Sequence, residues 1–461
     1  MRTPVIPFEK VFYSDGNEHR LDLEAICFYT ALGFFSDGDS YWKDQKVMRP
    51  ATGYEVDPRG VVVPGLPYFQ WHHSPRSVSF QQVVEEFSEL FETITREQVA
   101  NHQVILPLSG GLDSRTQAVA LQVIGCRDVN TYSYAFEDSF HETLYGQKIA
   151  AACGFPFHPY TIPRGYLWPD IERLSQINGC YSEFTHPRQM AVIDDIAKLG
   201  DLFFLGHWGD VLFDDMGVAD TASFEEQLRV IKGKVLKRGG LELATALWQA
   251  WGLPGLFEAR LEERLRALLE VIPIENANAR IRAFKSMYWA PRWTSENLNV
   301  FSSRHPMALP YYDQRMCEFI CTVPEAYLAG RKIQIEYIKQ RSPEIARIEW
   351  QEYHPCNLYN YSQFNTLKFI PQRGWNKFKR LFDSKILQKR LIQRNWEIQF
   401  LGSGNEPLLQ GWLFENEKFK QLVPPQLVHD FYGKFQHVDE VQYSHPLSML
   451  LTLSLFSNNN L

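Results

Sequence analysis

The chain has 461 residues, of which 45% are hydrophobic and 22% charged, so a disordered or fibrous protein is excluded and more than one domain is expected. The net charge of −7 excludes a general attraction to nucleic acid or to an anionic membrane surface. The seven cysteines are scattered without a C-x-x-C pair, which argues against a zinc or redox motif and favours the cytoplasm.

The first part of the chain is punctuated by glycine and proline, as in "ATGYEVDPRGVVVPGLPYF", which predicts a small β-rich segment of short strands and turns. An amphipathic helix is predicted over residues 80–101, because apolar side chains recur there three, four and seven positions apart. The longest apolar run, which begins at Leu447, is too short to cross a bilayer, so no membrane association is expected.

Strands then alternate with helices. The runs "QVILPL", "VNTYSYAF", "FHPYTI" and "DLFFL" have strand length, and helix-forming segments follow the first two of them. This alternation over residues 103–213 predicts an α/β fold with an open, mostly parallel sheet, followed by a helical subdomain over residues 224–301. Ligands bind such sheets beyond the carboxyl ends of the strands, where residues 109–114 and 206–210 lie.

The stretch "LPLSGGLDSRTQAV" places a glycine loop between a strand and a helix N-terminus, an arrangement that binds anions. The loop lacks the lysine of a G-K-[ST] motif, and Asp113 stands where phosphates would crowd. A carboxylate there is repulsive unless a cation intervenes, which indicates Mg²⁺ between Asp113 and phosphate oxygens, with Ser109 and Ser114 donating hydrogen bonds. A plain turn is the alternative for this loop taken alone.

The loop "SGGLDS" resembles the PP-loop of ATP pyrophosphatases, and three further segments are similar to motifs of the asparagine synthetase family. These are "TYSYAFEDSFHETLYGQKIAAACG", "GHWGDVLF" and "ALPYYDQRMCEFICTVPEAYLAGRKIQIEYIKQ", and the resemblance covers roughly residues 20–345. The resemblance implies a PP-loop type of fold, ATP and Mg²⁺ as cofactors, catalytic roles for Lys332 and Asp210, and metal binding by Asp113 and Asp210. The ATP-binding residues that it implies are Leu108, Ser109, Gly110, Gly111, Asp113, Ser114, Ser133 and Gly206.

The chain departs from the family in two places. Glutamine-using members begin with a cysteine after removal of Met, whereas Arg2 stands there in this chain, and only the last part of the glutaminase domain has a counterpart. In "GHWGDVLF", His207, Trp208 and Val211 replace residues that are acidic, small and acidic in the family. His207 therefore has two interpretations, a general base for an amine or a histidine packed beside Trp208.

The expected organisation is a degenerate glutaminase remnant over residues 1–78, a synthetase-like ATP-binding domain over residues 79–345, and a C-terminal extension of unknown role over residues 346–461. The leading hypothesis is a ligase that activates a small-molecule or peptide carboxylate as an acyl-adenylate. Ammonia or an amine, supplied freely, by the substrate or by a separate glutaminase, then forms the amide. The alternatives are an intramolecular cyclase like β-lactam synthetases or lasso-peptide cyclases, a non-catalytic nucleotide-binding scaffold, and a sulfur-transfer or tRNA-modifying PP-loop enzyme.

Overall fold

The N-terminal segment combines short strands with one buried helix. The computed structural model describes residues 12–14, 19–58, 62–137, 143–184, 186–364 and 396–461, so Arg2 lies outside the described residues. Two antiparallel pairs form there, β1 (Phe12–Ser14) with β2 (Gln45–Val47) and β3 (Thr52–Val56) with β4 (Val62–Pro67). Between β1 and β2 lies helix α1 (Leu23–Leu32), which the sequence pattern did not predict because the helix is apolar on all sides and lacks a polar stripe.

The central sheet has five parallel strands and confirms the predicted α/β fold. In chain order these are β5 (Val104–Pro107), β6 (Val129–Phe136), β7 (Phe157–Ile162), β8 (Leu202–Phe204) and β9 (Met307–Ala308). They lie side by side in the order β7-β6-β5-β8-β9. The strand order reverses direction between β5 and β8, so the crevice beyond these two strands is the expected ligand site of this sheet.

In the described part of the chain six α-helices accompany strands β5 to β8: one precedes β5, four lie between β5 and β8, and one follows β8. They are α2 (Phe80–Gln98), α3 (Leu112–Val123), α4 (Thr143–Cys153), α5 (Leu167–Asn178), α6 (Ile193–Ile196) and α7 (Gly209–Leu212). Helix α2 is the predicted amphipathic helix. It begins where the Ser79 hydroxyl accepts a hydrogen bond from the Gln82 amide, and it buries the stripe of Val83, Phe87 and Phe91.

The helical subdomain follows as predicted. Its α-helices are α8 (Phe224–Val235), α9 (Gly240–Ala250), α10 (Phe257–Glu270), α11 (Ala277–Phe284) and α12 (Ser295–Ser302). Between α11 and α12 the chain forms a ten-residue π-helix, Lys285–Thr294, with Pro291 inside it. Proline has no N–H and its ring clashes with the preceding turn of an α-helix, so a wider turn fits this segment better.

The remaining helices follow the helical subdomain, and the last of them packs against the N-terminal segment. They are α13 (Gln314–Cys321), α14 (Glu325–Leu328), α15 (Lys332–Arg341), α16 (Pro343–Arg347), α17 (Trp396–Phe400), α18 (Glu406–Phe414), α19 (Glu417–Leu422), α20 (Pro425–His437) and α21 (Glu440–Asn460). Helix α21 packs against α5, α9 and α20, and its Phe456 ring stacks on Tyr41 with 3.6 Å between ring centroids. The C-terminal extension therefore contributes a core helix.

Among the described residues no helix combines the length and the apolar character that a bilayer crossing needs. The apolar run from Leu447 instead lies within α21, where its side chains are buried in the common core. The predicted domain boundaries after residues 78 and 345 stay predictions.

Candidate active site

The glycine loop turns sharply at the carboxyl end of β5. Val104, Ile105 and Leu106 are fully buried, which fixes the strand in the middle of the sheet. The Leu108 amide continues the ladder by donating to the Tyr132 carbonyl at 2.8 Å, and the backbone then leaves the sheet and enters α3. The N-terminus of α3, with its unpaired amide groups, therefore faces the crevice beyond β5.

Two serine hydroxyls hold the loop in shape. The Ser109 amide donates to the Ser114 Oγ at 3.1 Å, and the two hydroxyl oxygens are also 3.1 Å apart. The Gly111 amide donates to Ser109 Oγ at 3.2 Å. Ser109 and Ser114 thus lie together in the loop, and their predicted hydrogen bonds to phosphate stay a prediction.

Gly110 lies where no side chain fits. A Cβ built at this position would be 2.6 Å from the Cβ of Gln351 and 2.9 Å from the Cβ of Tyr145, closer than real Cβ contacts come. The segment after α16 therefore covers the loop directly, and the buried Arg115 strengthens this packing by donating to the carbonyls of Ile348 and Glu349 at 3.0 and 2.8 Å. Gly110 is needed because any side chain there would prevent Gln351 and Tyr145 from packing this close to the loop backbone.

Asp113, in the first turn of α3, is the most highly connected acid of the crevice. Its Oδ1 accepts hydrogen bonds from the Arg331 guanidinium and, at 3.0 Å, from the Gln334 amide. Burial raises the pKa of Asp113 to about 6, the Arg331 charge lowers it, and the charge of Asp210 raises it. No described residue donates a hydrogen bond to its second oxygen, Oδ2.

The segment after β8 approaches Asp113 through two glycines. A Cβ on Gly206 would lie 3.2 Å from the Cβ of Asp113, and a Cβ on Gly209 would overlap the Asp113 carboxylate. Asp210 follows on α7, exposed to solvent. The structure thus brings the two predicted aspartates to neighbouring strand ends, where their charges repel each other.

This donor set fits a magnesium ion. Mg²⁺ favours one or two carboxylates together with substrate phosphates and water, rather than a cage built entirely by the protein. Asp113 Oδ2 and the Asp210 carboxylate supply two such oxygens beside a phosphate loop. Among the described residues no group of three or more acidic, histidine or cysteine side chains forms a complete metal cage.

His207 lies between the glycines and the aromatic side of the crevice. Burial lowers the pKa of His207 to about 4, against a smaller opposite effect of Asp210. Its Nδ1 is buried and has no hydrogen-bond partner in the described part of the chain. The neutral imidazole can therefore accept or donate a hydrogen bond to a ligand, and the packed histidine and the general base both stay open as interpretations.

Arg331, which the sequence did not single out, reaches Asp113 because of an unusual turn. Gly330 and Arg331 both have positive φ, 71° and 59°, just before α15 begins. The Gly330 amide donates to Asp214 Oδ1 at 2.8 Å, which holds the turn in place. A left-handed arginine carries a steric cost of about 1–2 kcal/mol, and this contact with Asp113 offsets it.

Lys332 points elsewhere in this conformation. Its Nζ donates to the Ala326 carbonyl at 2.9 Å and its side chain is exposed. The catalytic role of Lys332 stays a prediction, as does that of Ser133, which lies on β6 one residue beyond the last residue paired with β5. Asp313 begins α13 and binds Arg315 at 2.9 Å.

Gln334 and Tyr311 are two further residues of the site that sequence reasoning missed. The Gln334 amide donates to the Tyr311 hydroxyl at 2.9 Å, and this hydroxyl lies 3.4 Å from the Asp113 carbonyl, to which it donates. Both side chains are buried around the base of α3. Glutamine and tyrosine carry no motif signal, and only the three-dimensional packing brings them to the loop.

These features define a nucleotide-binding fold of the PP-loop type. The sheet is parallel, a loop of glycine and serine lies where its strand order reverses, and an aspartate follows each of the two strands at that point. The chain belongs to the asparagine synthase family, whose model, described as asparagine synthase, matches residues 86–334. A comparison with curated proteins gives no match. The family makes the chain an ATP-dependent ligase that forms the carbon–nitrogen bond of an amide, with ATP as a substrate.

Proposed function

We propose that this ligase attaches AMP to a substrate carboxylate with release of pyrophosphate, and that ammonia or an amine then displaces AMP to form an amide. The observation that carries the proposal is the pair of aspartates at the ends of β5 and β8, beside the serine loop and the N-terminus of α3. A site for the leaving pyrophosphate needs these features, because charge builds there as the bond to the α-phosphorus breaks.

The proposed roles follow from position and charge. Backbone amides at the N-terminus of α3, which no side chain caps, and the hydroxyls of Ser109 and Ser114 bind phosphate oxygens. Asp113 and Asp210 would hold Mg²⁺, which neutralises charge on the departing pyrophosphate when it is bound. Arg331 orients Asp113, and Lys332 is the cation that the family resemblance assigns to the developing negative charge.

We further propose that the nitrogen comes from outside this chain's own N-terminal segment. Cys27 is the one cysteine between the start of the chain and Cys126, and it is fully buried within α1. Burial raises the pKa of the Cys27 thiol far above its usual range, so the reactive thiolate does not form there. Free ammonia, a separate glutaminase, or an amine on the substrate itself remain as sources of nitrogen.

The test is a product assay with purified protein, ATP, Mg²⁺, ammonium and a panel of carboxylates. We expect AMP and pyrophosphate, in equal amounts, for the correct acid, and loss of both in Asp113→Asn. Formation of ADP and phosphate would contradict the proposed chemistry. If Asp113→Asn kept full function in cells, the scaffold interpretation would replace it.

A further inference from the structure

The π-helix presents a row of side chains to the crevice beside Asp210. Lys285, Trp289 and Trp293 are four residues apart along this helix and are partly exposed, whereas Ser286, Tyr288, Ala290 and Arg292 between them are buried. The Lys285 Nζ lies 5.1 Å from the Trp289 ring centroid and 5.4 Å from that of Trp208. We call Trp208, Trp289 and Trp293 the tryptophan wall.

A second lysine approaches the same wall from the loop between α8 and α9. The Lys237 Nζ lies 5.7 Å from the Trp289 ring centroid and 5.2 Å from that of Trp293. Neither the Lys285 nor the Lys237 ammonium forms an ion pair or hydrogen bond with any residue that the structure describes. The nearby Glu183 already accepts from the Ser448 hydroxyl at 2.6 Å and pairs with His186 at 3.1 Å.

Donors without a partner lie at the wall, together with an acceptor, the Asn297 Oδ1, whose amide nitrogen donates to the Trp293 carbonyl at 2.8 Å. The indole Nε1 atoms of Trp289 and Trp293 are buried and find no acceptor within the described part of the chain, whereas Trp208 Nε1 donates to Ser286 Oγ at 3.1 Å. A buried donor without a partner destabilises the protein, so a ligand that supplies an acceptor is favoured there. Ammonium and indole groups donate only, so the partner they need is an acceptor.

A carboxylate meets this need, since its two oxygens can accept from an ammonium and an indole N–H at once. Desolvation at the wall strengthens such contacts and lowers the pKa of Lys285 to about 8, which still leaves the side chain mostly charged at neutral pH. The rings of the wall offer apolar area to the rest of the molecule. A substrate ammonium group would instead lie beside two lysines, which is unfavourable.

We propose that Lys285 binds the carboxylate that ATP activates, and that the tryptophan wall binds an aromatic body and selects against an α-amino acid. This inference rests on the proposed function, since it names the substrate class of the same site. Lys285 faces Asp210, whose charge influences it, so an acid bound there lies between the phosphate loop and the wall. Lys285 is then a specificity-determining residue of the ligase.

Binding is measured first, without turnover, by quenching of tryptophan fluorescence and by calorimetry with ATP-free protein. The probes are 3-phenylpropionate, L-phenylalanine, which adds only the ammonium, and propionate, which lacks the ring. We expect saturable binding of 3-phenylpropionate, at least tenfold weaker binding of L-phenylalanine, and no measurable binding of propionate. Equal or tighter binding of L-phenylalanine would overturn the inference.

Variants test Lys285 itself. Lys285→Met should weaken 3-phenylpropionate binding by about 10- to 100-fold, the scale of one charge-assisted hydrogen bond, and Lys285→Arg should restore part of it. Lys43→Met removes an exposed charge that is not among the groups acting on Lys285 and is the matched control, expected to bind normally. Unchanged binding in Lys285→Met would overturn the inference, and circular dichroism with ATP binding shows whether each variant is folded.

The two proposals fail in distinguishable ways. In one outcome, 3-phenylpropionate binds specifically and its binding depends on Lys285, but ATP is cleaved to ADP. This result would support the proposed acid-binding role of Lys285 and the tryptophan wall and would contradict the acyl-adenylate chemistry. In the other outcome, pyrophosphate is released with amino acids but not with aromatic acids, and Lys285→Met does not change its release. This result would support the acyl-adenylate chemistry and overturn the proposed role of Lys285 and the tryptophan wall.

Discussion

The guanidinium of Arg331 and the carboxylate of Asp113 form an ion pair across the mouth of the phosphate loop. Their side chains are 13% and 22% exposed, so the pair is shielded from solvent but not sealed from a ligand. Arg331 also donates to Gln334 Oε1 at 2.7 Å, and the Gln334 amide returns to Asp113, so the three side chains form a closed ring of hydrogen bonds. This ring occupies one oxygen of Asp113, while no described residue donates to the other oxygen, the one that we propose for Mg²⁺.

Removal of Arg331 should impair the ligase. Arg331→Met breaks the ring and leaves Asp113 without its compensating charge, so we expect the rate of pyrophosphate release to fall by about 10²-fold. Steady-state assays with varied ATP and Mg²⁺ measure this. The matched control is Arg347→Met, an arginine at the end of α16 with no ion pair to an acid among the described residues. Wild-type rates in Arg331→Met would show that the ion pair is structural only.

Lys332 can be tested against a lysine of the same helix. If Lys332 stabilises the developing charge, Lys332→Met should lower the rate of pyrophosphate release by about 10²-fold or more with little change in ATP binding. Lys339→Met, also on α15, removes a side chain that lies near Glu336 at 3.8 Å and should leave the rate unchanged. Equal rates for both variants would remove Lys332 from the proposed mechanism.

Close packing of Gly209 makes an alanine there costly. The added Cβ would overlap the Asp113 carboxylate, so Gly209→Ala should displace Asp113 and weaken binding of Mg²⁺ and ATP, measured by calorimetry. Gly233→Ala is the control, because a Cβ in α8 meets no atom within 4 Å. This second change should raise the free energy of unfolding by about 0.5–1 kcal/mol through helix propensity.

The last helix should be essential for stability. Phe456→Ala removes a ring that is 2% exposed and stacked on Tyr41, so the free energy of unfolding should fall by about 3–5 kcal/mol. Chemical denaturation followed by circular dichroism measures this loss. Leu408→Ala, at a side chain that is 49% exposed, should change stability by less than about 0.5 kcal/mol. Similar values for the two variants would contradict the core position of α21.

Stability should decline in mild acid because of His445. Burial lowers the pKa of His445 from 6.5 to about 4, near Glu183, Lys237 and His186, while its Nε2 donates to the Thr30 carbonyl at 2.8 Å. The unfolded chain therefore binds a proton at higher pH than the folded chain, and stability is lost as pH falls from about 6.5 toward 4. His445→Gln keeps a neutral donor, so its melting temperature should fall less steeply over this range.

The sheet and the phosphate loop were predictable because they follow local rules. Strand-length apolar runs, glycines at turns and the position of Asp113 each leave a signal within about ten residues of sequence. Helix α1 and helix α21 left no such signal, since a helix buried on every side has no polar face to give it a period. Strand β9 was missed because two residues are too few for any pattern.

Only some residues of the candidate site could be predicted, because others reach it through tertiary contacts and not through a local sequence pattern. The motif residues on the loop and after β8 lie close together, as expected. Arg331 reaches Asp113 only because Gly330 and Arg331 both have left-handed backbone, and the sequence gives no indication of this conformation. The sequence instead predicts a role for the next residue, Lys332, because its segment resembles a motif of the asparagine synthetase family. A shift of one residue decides which side chain enters the crevice, and such a shift is set by tertiary contacts such as that of Gly330 with Asp214.

If the tryptophan wall selects the acid as we propose, its shape depends on the length of the π-helix as well as on the identity of its side chains. A single residue deleted beyond Lys285 would let the segment relax toward an α-helix, and each residue of an α-helix turns the following side chains by about 100°. Lys285 and the two tryptophans would then stand at positions i, i+3 and i+7, which share one face of an α-helix, but their spacing along and around the helix axis would change although none of the three had been replaced. Under our proposal, such a deletion would reshape the surface that binds the acid without changing any residue of the phosphate loop.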